Sequence, residues 1–337
     1  MKTQKKLFLF LVLVLLAACD TPEWGLAQRA SATATSPLVP SLVPTSVPAT
    51  ATTNAIPDLP TADDISSTIQ TPTPTLAPDA WKTLPITPVV SPRMIALYQA
   101  GLAAGRDPSM FSKIGDCQNI TTYFLASFDN PKEYQLGSQY GYLQSTIDHF
   151  AGSWSRQSLA TKGGENVASA LTPFWSDPKK CNSGETPIAC EIRVNNPSIV
   201  TVSFEESWNG NLVMYNEDLR KVVEYILSQH VVPILATRAE VPGSENSINE
   251  VVARIAYDYQ VPLWNFWAAT NPLPSHGLVA DGFHLTQGRD LFVFNNPTDM
   301  EAGWPWRNLT ALEAIDAVYR TVSGQHKVCY VIWQFFA

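Results

Sequence analysis

With 337 residues and a net charge of −8, the chain is long enough for one large domain or two small ones, and it is acidic. No basic tract offsets that charge, so nucleic acid is excluded as an expected partner. Five cysteines and ten tryptophans are the other compositional features that the reading has to place.

Lys2, Lys5 and Lys6 precede an apolar run over residues 7–16, which is short for a membrane span. The run ends in Leu16-Ala17-Ala18-Cys19, small residues followed by cysteine. The arrangement resembles the bacterial lipoprotein signal. That resemblance implies a signal peptide over residues 1–19, acylation of Cys19 and an extracytoplasmic chain anchored to a bacterial membrane. The alternative is an ordinary signal peptide with a chance cysteine. Two or three acyl chains would hold such an anchor firmly.

Residues 20–90 are dominated by Pro, Thr, Ser and Ala. Twelve of the 26 prolines and only seven charged residues lie between positions 21 and 90, and no amphipathic period survives. Such a stretch buries too little apolar surface to offset its ordering entropy, and it reads as a disordered tether. Trp24 and Trp81 are expected to make incidental contacts.

The folded domain is expected over residues 91–337. Met94, Ile95, Leu97, Tyr98 and Leu102 form a helical stripe over 92–104, with Pro92 at an N1-like position and Gly105 as the stop. A short strand over 110–114 leads into the turn Gly115-Asp116-Cys117-Gln118. Residues 118–170 read as mostly helical with loops. Buried strands are expected over 197–204, 231–236 and 261–267, and helices over 215–229, 248–259 and 309–322. This alternation argues for one α/β domain with a parallel sheet covered on both faces. Cys181 and Cys190 flank a turn-rich segment and are expected to close a disulfide. Cys117 and Cys329 then remain as thiols or pair with each other.

Ligands of open α/β sheets bind at the carboxyl ends of the strands. Three groups fall there: Gly115-Asp116-Cys117, Glu205-Glu206-Ser207-Trp208-Asn209 and Asp281-Gly282-Phe283-His284. On these motifs the chain resembles the SGNH (GDSL-type) hydrolase family over most of residues 91–322. The resemblance implies a flavodoxin-like three-layer sandwich and an esterase, lipase or carbohydrate deacetylase activity. It makes Cys117 the nucleophile, His284 the base and Asp281 its orienter, with an oxyanion hole from Cys117, Gly164 and Ser207. Two positions depart from the family pattern: cysteine replaces the nucleophile serine, and Ser207 and Glu205 stand where asparagine and glycine are expected. Asn209 or Asn211 replaces the missing amide only if the turn is longer than usual.

A thiol at a helix N-terminus beside a histidine is expected to ionise easily. Glu205 and Glu206 are expected to put negative charge, the wrong sign, beside an oxyanion. The expected partners are a small-molecule or glycan ester and a membrane, with no cofactor and no metal. A His276/Asp281/His284 metal set matches no standard zinc spacing. Tryptophans 154, 175, 208, 304 and 306 stand in loop-like contexts and suit either rim packing or contact with sugar faces. The alternative function is a silent domain of the same fold that binds glycan or envelope components. A third is a structural lipoprotein whose tether matters more than its cleft.

Overall fold

A computed structural model of the protein describes residues 76–206, 210–243 and 247–325. Cys19, the signal segment, most of the Pro-rich stretch, Ser207, Trp208, Asn209, Cys329 and the terminal apolar run lie outside the described residues.

Helix α1 (Pro92–Ala103) starts where Pro92 sets the first helical φ, and it buries Met94, Tyr98 and Gly101. Strand β1 (Asp107–Gly115) follows and is closed from solvent over its last five residues. The region expected to be mostly helical is instead a long series of turns. Its regular helix is the short α2 (Gln144–His149), and 167–171 contains only the 3₁₀ turn Ser169–Leu171. Helix α3 (Pro187–Asn195), which no sequence signal singled out, is capped by Thr186 and feeds β2 (Pro197–Ser203).

Strand β2 and strand β3 (Val232–Ala236) are buried at every residue, as strands in the middle of a parallel sheet are. Between them α4 (Leu212–Ser228) buries Tyr215, Leu219, Val222, Val223 and Ile226 on one stripe. Helix α5 (Ile248–Tyr259) does the same with Ile248, Val252, Ile255 and Ala256. The strand expected over 261–267 is only β4 (Leu263–Trp264); Asn265 then caps α6 (Phe266–Thr270). Asn265 Oδ1 accepts from the Ala268 N–H at 3.4 Å, and this favours a helix over further extension. The last helix, α7 (Gly303–Val322), begins six residues before its expected start.

The four strands are parallel in the order β1-β2-β3-β4, with Gly115 beside Ser203 and Val202 beside Leu235. An isolated parallel bridge joins Gly115 to Thr161 on the other side of β1. Counting it as an edge strand gives the flavodoxin-like order 2-1-3-4-5. Helices α3, α4 and α5 are the crossovers and cover one face, because such connections are right-handed. Helices α1 and α7 pack together on the other.

The folded part begins earlier than Ser91. Trp81 is 1% exposed, its ring meets that of Trp267 at 5.0 Å, and its carbonyl accepts from Asn265 Nδ2. Its contact is structural rather than incidental. Cys181 and Cys190 are joined by a disulfide with Cα atoms 5.2 Å apart.

Candidate active site

The register of β1 and β2 decides which residues meet at the carboxyl edge of the sheet. Gly115 and Ser203 are neighbours, so the turns after them converge. A Cβ on residue 115 would lie 2.1 Å from the Ser203 carbonyl oxygen and 2.2 Å from Asn119 Nδ2, so this approach requires glycine. Asn119 Nδ2 donates to the Ser203 carbonyl oxygen at 2.8 Å and ties the two strand ends together.

Asp116 is buried in that junction. Its carboxyl accepts from the Glu205 N–H at 2.6 Å and caps a three-residue 3₁₀ turn, Cys117–Asn119, through the Gln118 N–H. Cys117 is a free thiol. The turn is too short to supply a helix dipole, and an acid precedes the thiol. Burial, then Asp116 and Glu205, push the Cys117 thiol up to about 12, with Arg307 opposing. The expectation of an easily formed thiolate is therefore corrected: the helix it relied on is not there, and desolvation wins.

Glu205 is also corrected. It is fully buried and paired with Arg307 at 3.0 Å rather than projecting bare charge into the cleft. Arg307, on α7, donates to the Gln118 carbonyl, Ser203 Oγ and Glu205 Oε1, and its guanidinium lies 4.9–5.3 Å from the ring centres of Phe124, Trp264 and Phe266. Sequence reasoning missed it because an arginine inside Trp304-Pro305-Trp306-Arg307 carries no spacing signal. Its helix position, one turn after the aromatic N-terminus, is the only local hint.

The second half of the site is a tight loop. Val279 N–H donates to the His284 carbonyl, Leu278 bridges Leu285, and Gly282 takes the positive φ of +70° that the turn needs. Asp281 accepts from the N–H groups of Phe283 and His284, each at 2.9 Å, and from His284 Nδ1 at 2.7 Å. These bonds hold its carboxyl down to about 2, the His284 side chain contributing most. A carboxylate only accepts, so Nδ1 carries the proton and Nε2 keeps a lone pair.

Cys117 and His284 line one cavity of about 540 Å³, with Gln118, Ile120, Tyr123, Val279, Leu285, Gln287 and Trp304. Among the described residues no hydrogen bond joins the Cys117 sulfur to His284. Gly164 is exposed in the loop beyond the Thr161 bridge and is not part of this lining. Asn211 Oδ1 caps α4 by accepting from the Met214 N–H, and Asn211 is not part of this lining. Of the five tryptophans assigned to loops, Trp304 reaches the cavity, whereas Trp154 is fully buried and donates to the Ile147 carbonyl. His276 turns its Nδ1 to the Asn271 carbonyl at 2.8 Å. Among the described residues, the cluster with metal-donor spacing is Cys181, Glu185 and Cys190, where both sulfurs are in the disulfide and Glu185 pairs with Arg193.

No family model matches the chain, and no curated protein matches it. Among solved structures, a lipase/acylhydrolase from Enterococcus faecalis is similar over 64% of this chain and 96% of its own, with 17% identity and a TM-score of 0.36. A likeness at that level carries no argument about chemistry. The class defined by the fold is a flavodoxin-like α/β domain, and it rests on the strand order and register described above.

Proposed function

We propose that the chain is a surface lipoprotein whose α/β domain cleaves carboxylic esters, including acyl groups on carbohydrate. The observation that carries this reading is the Asp281–His284 pair, hydrogen bonded at 2.7 Å on the same cavity as Cys117. Cys117 Sγ attacks the acyl carbon while His284 Nε2 takes the thiol proton. Because the thiol is held up near 12, proton removal accompanies S–C bond formation rather than preceding it. The imidazolium, steadied by Asp281, returns that proton to the departing alkoxide, and water then hydrolyses the thioester. The apolar walls from Ile120, Tyr123, Leu285 and Trp304 suit an acyl chain.

The supporting assay follows turnover of short acyl esters by the full chain, beside Cys117→Ala and His284→Ala. Each substitution is expected to remove activity by roughly 10²–10⁴-fold. Parent turnover that survives both substitutions would sink the triad. The raised thiol favours a second reading, a catalytically silent domain that binds glycan or envelope components in the same cavity. Ligand binding by a parent that hydrolyses nothing would select it. The anchor is supported by the Lys-rich start and Leu16-Ala17-Ala18-Cys19. It predicts fatty-acid labelling of the chain that Cys19→Ala abolishes.

A further inference from the structure

Beneath Cys117 lie two carboxyl groups and one guanidinium, all closed from solvent: Asp116 is 1% exposed, and Glu205 and Arg307 are 0% exposed. With both carboxyls ionised the group would carry an uncompensated negative charge in a space closed from solvent, which costs several kcal/mol. The neighbours do not cancel it. Arg238 donates to the Glu205 backbone carbonyl at 2.7 Å and helps to hold Glu205 ionised, but it also faces Glu240 at 4.0 Å. Tyr215 gives its hydroxyl to the Phe204 carbonyl, and Glu206, facing Cys117 from the same turn, adds negative charge. His284 and Asp281 approach from the open side of the cavity.

Hydrogen bonding points to the remedy. Glu205 Oε1 accepts from Ser203 Oγ at 2.6 Å and from Arg307 at 3.0 Å, while Oε2 has no N–H or hydroxyl donor among the described residues. Asp116 Oδ2 accepts from the Glu205 N–H at 2.6 Å, which sets the two buried acids side by side, and Glu205 Oε2 is a buried acceptor that a protonated neighbour would satisfy.

We propose that Asp116, Glu205 and Arg307 form a closed cluster that keeps one proton between its carboxyls at neutral pH, leaving the floor under Cys117 uncharged. Arg307 is the positioning residue: it holds Glu205 ionised, so the proton stays on Asp116. In agreement, desolvation and Glu205 push Asp116 well above the usual carboxylate range, while Arg307 is the first of the contacts that hold Glu205 down against desolvation. The inference takes from the proposed function only that Cys117 is the reacting group. Its readouts do not need ester turnover, so the two fail separately.

The test uses the full chain, with iodoacetamide labelling of Cys117 read by peptide mass and infrared spectra of the carboxyl region. The parent is expected to show a buried protonated-carboxyl band at neutral pH that Asp116→Asn removes. Because Asp116→Asn then replaces one neutral group by another, Cys117 labelling at neutral pH should stay within about twofold of the parent; Asp116 pushes on the thiol only at higher pH, where it ionises. Glu205→Gln should also remove the band, since Asp116 then ionises to balance Arg307. Arg307→Gln should slow labelling at pH values below the thiol midpoint by about tenfold, equivalent to one unit in the thiol pKa. The proposal is overturned if Asp116→Asn leaves the band intact, or speeds labelling tenfold or more, as loss of a full negative charge would. If Arg307→Gln does not fold, the Asp116→Asn and Glu205→Gln results decide the matter.

Discussion

The two halves of the candidate site are built on opposite principles. The floor formed by Asp116, Glu205 and Arg307 is dry and wedged between two strands and a helix, and its ionisation is governed by desolvation. The Asp281–His284 loop is wet, with side chains 48% and 63% exposed, and its carboxylate is governed by hydrogen bonds. The floor cannot change without disturbing the fold, whereas the loop can change with little effect on it. A residue's contribution to stability and its contribution to chemistry therefore separate along the line between these halves.

The largest stability effect belongs to the floor. Arg307→Met leaves Glu205 buried and unpaired, and breaking a buried pair in this way should cost about 3–5 kcal/mol. Denaturant melts of the full chain measure it; a loss below about 1 kcal/mol would mean that the floor is not dry. Gly115→Ala comes next. Its Cβ would collide with the Ser203 carbonyl backbone, and overpacking of this kind costs typically about 1–3 kcal/mol. The same melts should show it, together with slower turnover if the β1–β2 junction positions Cys117.

The loop predicts the reverse pattern. Asp281→Asn, on an exposed loop, should cost far less stability than Arg307→Met. Ester turnover nonetheless falls by a factor approaching 10⁴, the cost of a histidine with the wrong tautomer. Equal losses in stability and activity would erase the contrast between the halves. The smallest effect is the pH dependence of this loop. The Asp281 carboxyl is held down to about 2 when folded, below its ordinary value near 4. Its contribution is therefore complete above about pH 4 and is lost as pH falls toward 2. The Asp116 contribution has the opposite sign. A carboxyl held up in the fold favours folding less as pH rises above about 4, so Asp116→Asn should flatten the alkaline side of the parent's stability curve.

Much of this was legible in the chain itself. Helix α5 ends where its apolar period ends, β2 and β3 lie within the stretches expected to be buried strands, and Asp281 and His284 are three residues apart in a loop that brings them together. Local pattern suffices for these because each is decided within about a dozen residues. It failed where the deciding contact came from far along the chain. Trp81 is buried by α6, and Glu205 is neutralised by an arginine 102 positions later. The expected thiolate at Cys117 failed for the same reason, since exposure and neighbouring charge are properties of the assembled sheet edge and not of the Gly-Asp-Cys turn.

The sequence by itself determined an α/β chain with a nucleophilic side chain at one strand end and an Asp–His pair near the last helix. Only the tertiary structure decided that these share a cavity, and that Cys117 stands on a closed charge cluster. The physical reason is that hydrophobic periodicity and turn chemistry are short-range and written locally, while desolvation and charge pairing depend on which distant elements pack together.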